Sequence, residues 1–450
     1  MESQMLRSEL KKMENMGKLL ECDKEVDRIY EMGAVLKHFN NRMPIMFNRV
    51  KGYSTRAVGG LYGDRDILFN LMNMTAENRN FKFMDAIANP KPYKVVKDGP
   101  VKENIVNRNI DLEKLLPINK FHGEDSSTYI TAGVLVVKDP DTGKFHTSIR
   151  RFQINGRDEI SALIASPKLT NDFLDLEKSN KALEVAIILG YDAPTLLASQ
   201  ISAATYGVDK YEVDSAIRGE ALELVQCESV DLLVPAYAEI ILEGKIVPGK
   251  RELEGPFGEL MGYYGPQNPH PIIKVNTITH RNDPIFQVAF PCREEHIANG
   301  LIREMEMYIN LKNQVDVKDV YVTEGGGYRF NAFASINKIK PGDGKSAILA
   351  SLGANKDLKQ VVIVDEDVDI YDLQDIEWAI ATRSQASQDF VIVEGAIGSG
   401  LEPSNGLRGV TDKVGIDATK PLEDKEGKFK RAFIPGFENI NIEKYFPNLK

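Results

Sequence analysis

Cysteine is scarce in this chain. The 450 residues hold 3, Cys22, Cys227 and Cys292, too far apart and too odd in number for a disulfide framework or a Cys-x-x-Cys metal pair, which fits a reducing compartment. The 6 histidines include no pair at i, i+4, so no zincin helix is present. Positive charge is also short. A formal net charge of -10 disfavours nucleic acid as the main partner, because phosphate binding needs clustered Lys and Arg. Apolar runs such as Ala186 to Leu189 or Val361 to Val364 are far too short to span a bilayer. The start Met1-Glu2-Ser3-Gln4-Met5-Leu6 lacks a basic region followed by an apolar one. A cytoplasmic protein with no membrane partner is the expectation.

Two common nucleotide signatures are missing as well. Gly395-Ala396-Ile397-Gly398-Ser399-Gly400 follows a strand-like run, but its spacing is not Gly-x-Gly-x-x-Gly and no helix follows. Gly325-Gly326-Gly327 has no Lys-Ser/Thr behind it, so it is no P-loop.

What remains is ordinary globular material, 42% hydrophobic and 27% charged, long enough for two or three domains. Leu6, Leu10 and Met13 recur at helical spacing and Gly17 can end that helix. A second helical stretch runs from Asp66 to Met74, and Asn89 to Lys102 reads as loop. From Tyr129 the texture becomes β-rich: Tyr129 to Val137, Thr147 to Ile154, Leu183 to Leu189, Tyr237 to Val247 and Ile272 to His280, interrupted by a helical stretch from Pro194 to Ala204. A barrel or strongly curved sheet fits this better than a βαβ array. A helix from Glu295 to Asn310 leads to a last third with strands at Val361 to Val364 and Phe390 to Val393. Between those strands Asp372 caps a helix.

Two segments carry candidate chemistry. Glu254-Gly255-Pro256-Phe257-Gly258-Glu259 cannot be regular helix or central strand. It is either a solvated surface turn or a shaped loop presenting two carboxylates whose pKa values a sheltered site can push apart. His146-Thr147-Ser148-Ile149-Arg150-Arg151-Phe152-Gln153-Ile154 alternates as a strand, with Ile149 and Arg151 on one face and Arg150 pointing away. Either both arginines reach water along an edge strand, or an inward Arg meets an anion.

Taken together these segments resemble the UbiD family of decarboxylases that depend on prenylated FMN. The resemblance rests on Glu254 to Glu259 with Gly262-Tyr263 behind it, on Ser148-Ile149-Arg150-Arg151, on Asp231-Leu232-Leu233-Val234-Pro235, on His280-Arg281-Asn282-Asp283-Pro284-Ile285, and on Val361 to Asp369 with Gly415-Ile416-Asp417-Ala418-Thr419. It implies an α/β (α+β) fold: an N-terminal α/β domain over 1–118, a split β-barrel flavin-binding domain over 119–300, and a C-terminal α/β oligomerisation domain over 301–450. The implied activity is reversible loss of CO2 from an aromatic, heteroaromatic or α,β-unsaturated carboxylic acid. Arg151, Glu254 and Glu259 would be the catalytic residues, Glu259 the proton donor and Leu260 a substrate-lining residue. The strand His146, Thr147, Ser148, Ile149, Arg150 and Arg151, with Pro167, Lys168, Lys210 and Lys359, would bind the cofactor. A flavin prenyltransferase as cofactor supplier and a homo-oligomer, dimer or hexamer, follow from the same resemblance. The alternative is a non-catalytic subunit of a multi-subunit carboxylase.

The chain departs from the family at the flavin phosphate, where a divalent metal such as Mn²⁺ is usual, held by Asn, His and Glu. Those positions fall on His146, Lys168 and Lys210. A protonated lysine has no lone pair for a metal. It can instead replace the metal by clamping the phosphate, the other reading being a flavin site that has decayed.

Overall fold

The computed structural model describes residues 4–164, 167–291, 293–406, 409–424 and 427–446; Cys292 lies outside them. Its centre is a closed barrel. We label the strands of its sheet β1 (Asn104–Val106), β2 (Tyr129–Lys138), β3 (Phe145–Ile154), β4 (Glu159–Ala162), β5 (Leu183–Leu189), β6 (Ile240–Glu254) and β7 (Asn268–His280). They run in the order β6-β5-β2-β3-β4-β7-β1, and a β6–β7 pairing closes the ring and leaves β1 outside it. Every pairing is antiparallel. The β-branched and aromatic residues that announce these strands fill the interior: Val185, Ile187, Leu135, Phe152 and Ile273 are all buried in one cluster. The expected curved sheet is therefore present, and it reaches back to Asn104.

A four-stranded sheet packs beside the barrel. It orders Leu20–Cys22, Ile45–Phe47, Arg56–Gly59 and Ile285–Val288, so its last strand arrives from beyond the barrel. The first helix, Leu6–Asn15, buries Leu6, Leu10 and Met13, and Gly17 at φ +65° ends it. On the same helix Glu9 is buried, accepting from the Tyr62 hydroxyl (2.7 Å) and the Ala193 N–H. Burial first, and then the neighbouring Asp192, push its carboxyl up to about 8.

The last third is a five-stranded mixed sheet in the order Asp316–Val322, Asn331–Asn337, Gln360–Asp365, Val410–Ala418, Phe390–Ile397. Helix Glu294–Lys312 joins it to the barrel. Asp372 caps helix Leu373–Arg383 through a bond from the Gln374 N–H, as its sequence suggests. Arg79, fully buried, ties the parts together. It reaches Glu304 of the joining helix (2.7 Å) and Asp319 of the last sheet (2.9 Å). Among the described residues no helix is long and apolar enough to cross a membrane.

The stretch Pro194 to Ala204 is helical only as far as Gln200, in Ala193–Gln200, before a break and a short turn at Ala203–Tyr206. Ser202 sits in that break, capping the turn through the Thr205 N–H.

Candidate active site

β3 and β6 place the reactive residues. Glu254 is the last residue of β6, and Gly255 at φ +91° turns the chain out of the sheet. Gln153, two residues along β3 from Arg151 and so on its face, holds that turn. Its Oε1 accepts from the Gly255 N–H (2.9 Å) and the Tyr129 hydroxyl (2.7 Å), while its amide donates to the Leu253 carbonyl (3.0 Å). Asp125 accepts from the Gly258 N–H (2.8 Å) further along. The shaped-loop reading of this segment is the one the structure adopts.

Arg151 grips Glu254 with two parallel bonds, Nε to Oε1 (2.8 Å) and Nη2 to Oε2 (2.9 Å), and its third nitrogen, Nη1, meets Glu259. Its guanidinium also lies over the Phe257 ring, 4.7 Å from the centroid. Burial opposes the Arg151 charge, but the two glutamates outweigh it and hold the group charged above its ordinary value. The Glu254 side chain is 1% exposed and that of Glu259 is 17% exposed. Glu254 is thus a fixed buried anion and Glu259 a reachable one. Gly265 leaves Glu259 its room, since a β-carbon there would lie 3.0 Å from Oε1.

Arg151, Glu259 and Leu260 open onto a cavity of about 800 Å³, a size that takes a cofactor and a small substrate. Gly327 packs against Leu260 and Met261 with no space for a side chain, so the glycine run of the last third braces the loop that carries Glu259. His270 lines the cavity too, 4.0 Å from Glu254, and burial pushes its imidazole below the ordinary value although Glu254 pulls the other way. The cavity is also lined by Arg329 and Lys356, from the last third. Arg329 and Arg303 share Asp357, and Arg329 Nε and Arg303 Nε and Nη1 are buried without a hydrogen-bond partner. These buried donors leave hydrogen-bonding capacity on the Arg329 side of the cavity, although Asp357 pairs the charge of both arginines.

A second cavity of about 270 Å³ shares Ile149, Arg150 and Gln200 with the first. His146, Thr147, Ser148, Lys168 and Lys210 line it. Arg150 points away from the Glu254 pair, donating to the Leu163 carbonyl and the Ser148 hydroxyl, both at 3.2 Å. Lys210 donates to the carbonyls of Thr147 (2.6 Å) and Ser199 (2.9 Å). Neither cation meets a carboxylate among the described residues. Burial pushes Arg150 down to about 10, and burial with Arg150 nearby pushes Lys210 down to about 7. Lys168 is different, because Asp172 (2.7 Å) and Asp139 (3.1 Å) bind it and hold it up at about 12. Pro167 opens helix Pro167–Lys178, and its side chain lies outside what the structure describes. Lys359 stands behind the cavity wall rather than on it, held by Glu402, which does line the cavity, and by Ser404 (2.8 Å).

The structure brings the predicted strand and loop residues together around these cavities and adds Asp139, Asp172, Gln153 and Arg329, which sequence reasoning missed. Gln153 had a local signal in its i+2 spacing from Arg151, and Asp172 in its i+4 spacing from Lys168.

Family profiles cover this architecture. The N-terminal, Rift-related and C-terminal domains of 3-octaprenyl-4-hydroxybenzoate carboxy-lyase match residues 10–87, 94–294 and 296–418. The chain belongs to the UbiD family of carboxy-lyases. It is 38% identical over 415 residues to the anhydromevalonate phosphate decarboxylase of Methanothermobacter thermautotrophicus, covering 92% of this chain and 96% of that one. The UbiD-class enzyme HmfF from Pelotomaculum thermopropionicum, solved in complex with FMN, is 42% identical with a TM-score of 0.95 over 98% of this chain and 99% of that one. An evolved dimeric form of that enzyme, in complex with prFMN, is 40% identical with a TM-score of 0.91 over 98% and 100% of the two chains.

Proposed function

We propose that this carboxy-lyase decarboxylates an aromatic, heteroaromatic or α,β-unsaturated carboxylic acid with prenylated FMN as cofactor. The observation that carries the reading is the Arg151–Glu254–Glu259 group beside a cavity that shares Ile149, Arg150 and Gln200 with a smaller pocket lined by Arg150 and Lys210. The residues fit the cofactor. The two adjoining cavities suit a fused ring system and its side chain, and Arg150 and Lys210 supply positive charge where a phosphate would be costly to bury. When bound, prenylated FMN supplies the electron sink that loss of CO2 from an sp² carbon requires.

The chain's own residues supply the rest. Glu254 and Phe257 fix the Arg151 guanidinium at the cavity wall, where it would orient the reacting groups. Arg329 and Lys356 attract the anionic substrate, Leu260 and Phe257 exclude water, and Glu259 moves the proton. To take up that proton, Glu259 must swing away from Arg151 Nη1, and the missing side chain at Gly265 gives it space. Lys359 acts by holding Glu402 on the wall. An intact acid–base trio in a substrate-sized cavity favours an enzyme over a non-catalytic subunit.

The same reading includes a flavin prenyltransferase as supplier, cytoplasmic residence and a homo-oligomer, dimer or hexamer. Its domains run over 1–118, 119–300 and 301–450. Side chains such as Phe433, Ile434 and Phe437 stand exposed near the C-terminal end and suit burial against another copy.

The test is the visible spectrum of protein co-expressed with a flavin prenyltransferase, followed by a screen of unsaturated and aromatic acids for H/D exchange at the carbon bearing the carboxylate. A colourless protein that exchanges none of them sinks the proposal.

A further inference from the structure

The small cavity is lined by Arg150, Lys168 and Lys210 and by two carboxylates, Asp139 and Asp172, both of which are taken up by Lys168. Among the described residues no group of three or more His, Cys, Asp or Glu is placed to hold a metal ion. Lys210, buried with its Nζ on the carbonyls of Thr147 and Ser199, lines the space and, when protonated, would repel a divalent cation. A metal therefore does not fit these residues. The pocket nonetheless holds Lys210, buried, and Arg150, half-buried, which no described carboxylate meets, so a bound anion would keep both protonated. Ser148, Ser199 and Ser202 also line it. Its volume of about 270 Å³ suits a group the size of a phosphate.

We propose that this pocket seats a phosphate monoester directly, with the Lys210 ammonium and the Arg150 guanidinium as its counter-charges and no divalent metal between protein and phosphate. The inference rests on the flavin reading, in which the phosphate is the cofactor's. It narrows the two-lysine clamp drawn from the sequence. Lys168 is neutralised by Asp139 and Asp172, with Asp141 a further 3.7 Å contact. Its part is to hold the strand-turn at Asp139 against helix Pro167–Lys178. Arg150 takes the second place on the anion. An ammonium bonds a phosphate as a compact point charge and a guanidinium as a planar fork, so the pair can bind different oxygens.

The experiment titrates FMN and riboflavin separately into the purified full chain, followed by flavin fluorescence, with EDTA, with added Mn²⁺ and with neither. Metal content is measured on the flavin-loaded protein. FMN affinity is expected to change by less than about twofold across the three conditions, with metal far below one per flavin. Lys210→Met should weaken FMN by about 10- to 100-fold, the loss of one charge-assisted contact, and leave riboflavin within about twofold. Lys168→Met should leave FMN within about threefold, because its charge is already matched. If Lys210→Met does not fold, Arg150→Gln gives the same FMN-against-riboflavin comparison. Stoichiometric Mn²⁺ with FMN affinity lost on chelation overturns this inference while leaving the flavin reading intact, as does a Lys210→Met protein that binds FMN like the wild type. Failure to bind any flavin overturns both.

Discussion

Glu259→Gln separates chemistry from architecture in this site. The loop around Glu259 is fixed by its backbone, since the Glu259 N–H donates to the Tyr263 carbonyl (2.8 Å) and the Gly262 N–H to the Glu259 carbonyl (2.9 Å). Arg151 keeps both bonds to Glu254 whatever stands at position 259. The amide therefore replaces one ion pair by a hydrogen bond from the same guanidinium to a neutral oxygen at a partly exposed side chain, a stability loss of about 1 kcal/mol. The kinetic loss is larger. A positioned proton donor contributes about 10²- to 10⁴-fold, or about 3–5 kcal/mol of barrier, and the amide has no such proton to give. The assay follows CO2 release and solvent deuterium incorporation at matched flavin content, with thermal unfolding alongside. A Glu259→Gln protein within about threefold of the wild-type rate would refute the proton-transfer role. A rate loss that merely tracks lost flavin or lost fold would refute it equally.

Removing Arg151 should cost both fold and function. In Arg151→Ala the buried Glu254 loses its bidentate partner, so unfolding free energy should fall by about 3–5 kcal/mol, measured by denaturant titration. Arg151→Lys, with no fork to grip two oxygens, should recover only part of it. Glu9 gives a pH signature. Its folded-state value of about 8 lies above the ordinary 4.5, so the folded protein binds the extra proton. The stability this contributes is complete below about pH 4.5 and is lost as pH rises through 8. Glu9→Gln should flatten the stability–pH curve between those values, and an unchanged slope would show that Glu9 is not the group responsible.

The barrel was legible because its strands are long and β-branched, as in Leu183-Glu184-Val185-Ala186-Ile187-Ile188-Leu189, and tertiary contacts reinforce that local preference. The Glu254 to Glu259 loop was legible because glycine and proline exclude regular structure there. The helices that bring Lys168 and Lys210 to the pocket were not. Pro167–Lys178 and Lys210–Arg218 are short and polar, and their main start signals are a proline and the Asp209 cap. Nor could the fate of Lys168 be read. Asp172 lies one helical turn away, but Asp139 comes from a turn between barrel strands, and only the fold places it 3.1 Å from the ammonium. Spacing reveals which residues share a face; it does not reveal which charges have already been answered.

The strand Ile285–Val288 has a consequence for how the molecule is made. It completes the N-terminal sheet by pairing in parallel with Arg56–Gly59, and Glu294, just beyond it, accepts from the Gly60 and Leu61 N–H groups (2.7 and 3.1 Å). During synthesis the edge Arg56–Gly59 must therefore wait, unpaired, while the entire barrel emerges from the ribosome at about 5–20 residues per second. The entropy of closing so long a loop grows only logarithmically, but an open strand edge with Ala57 and Val58 on it is a site for mispairing in the meantime. The barrel and the N-terminal sheet thus mature together, and a fragment ending before Ile285 would expose that edge permanently.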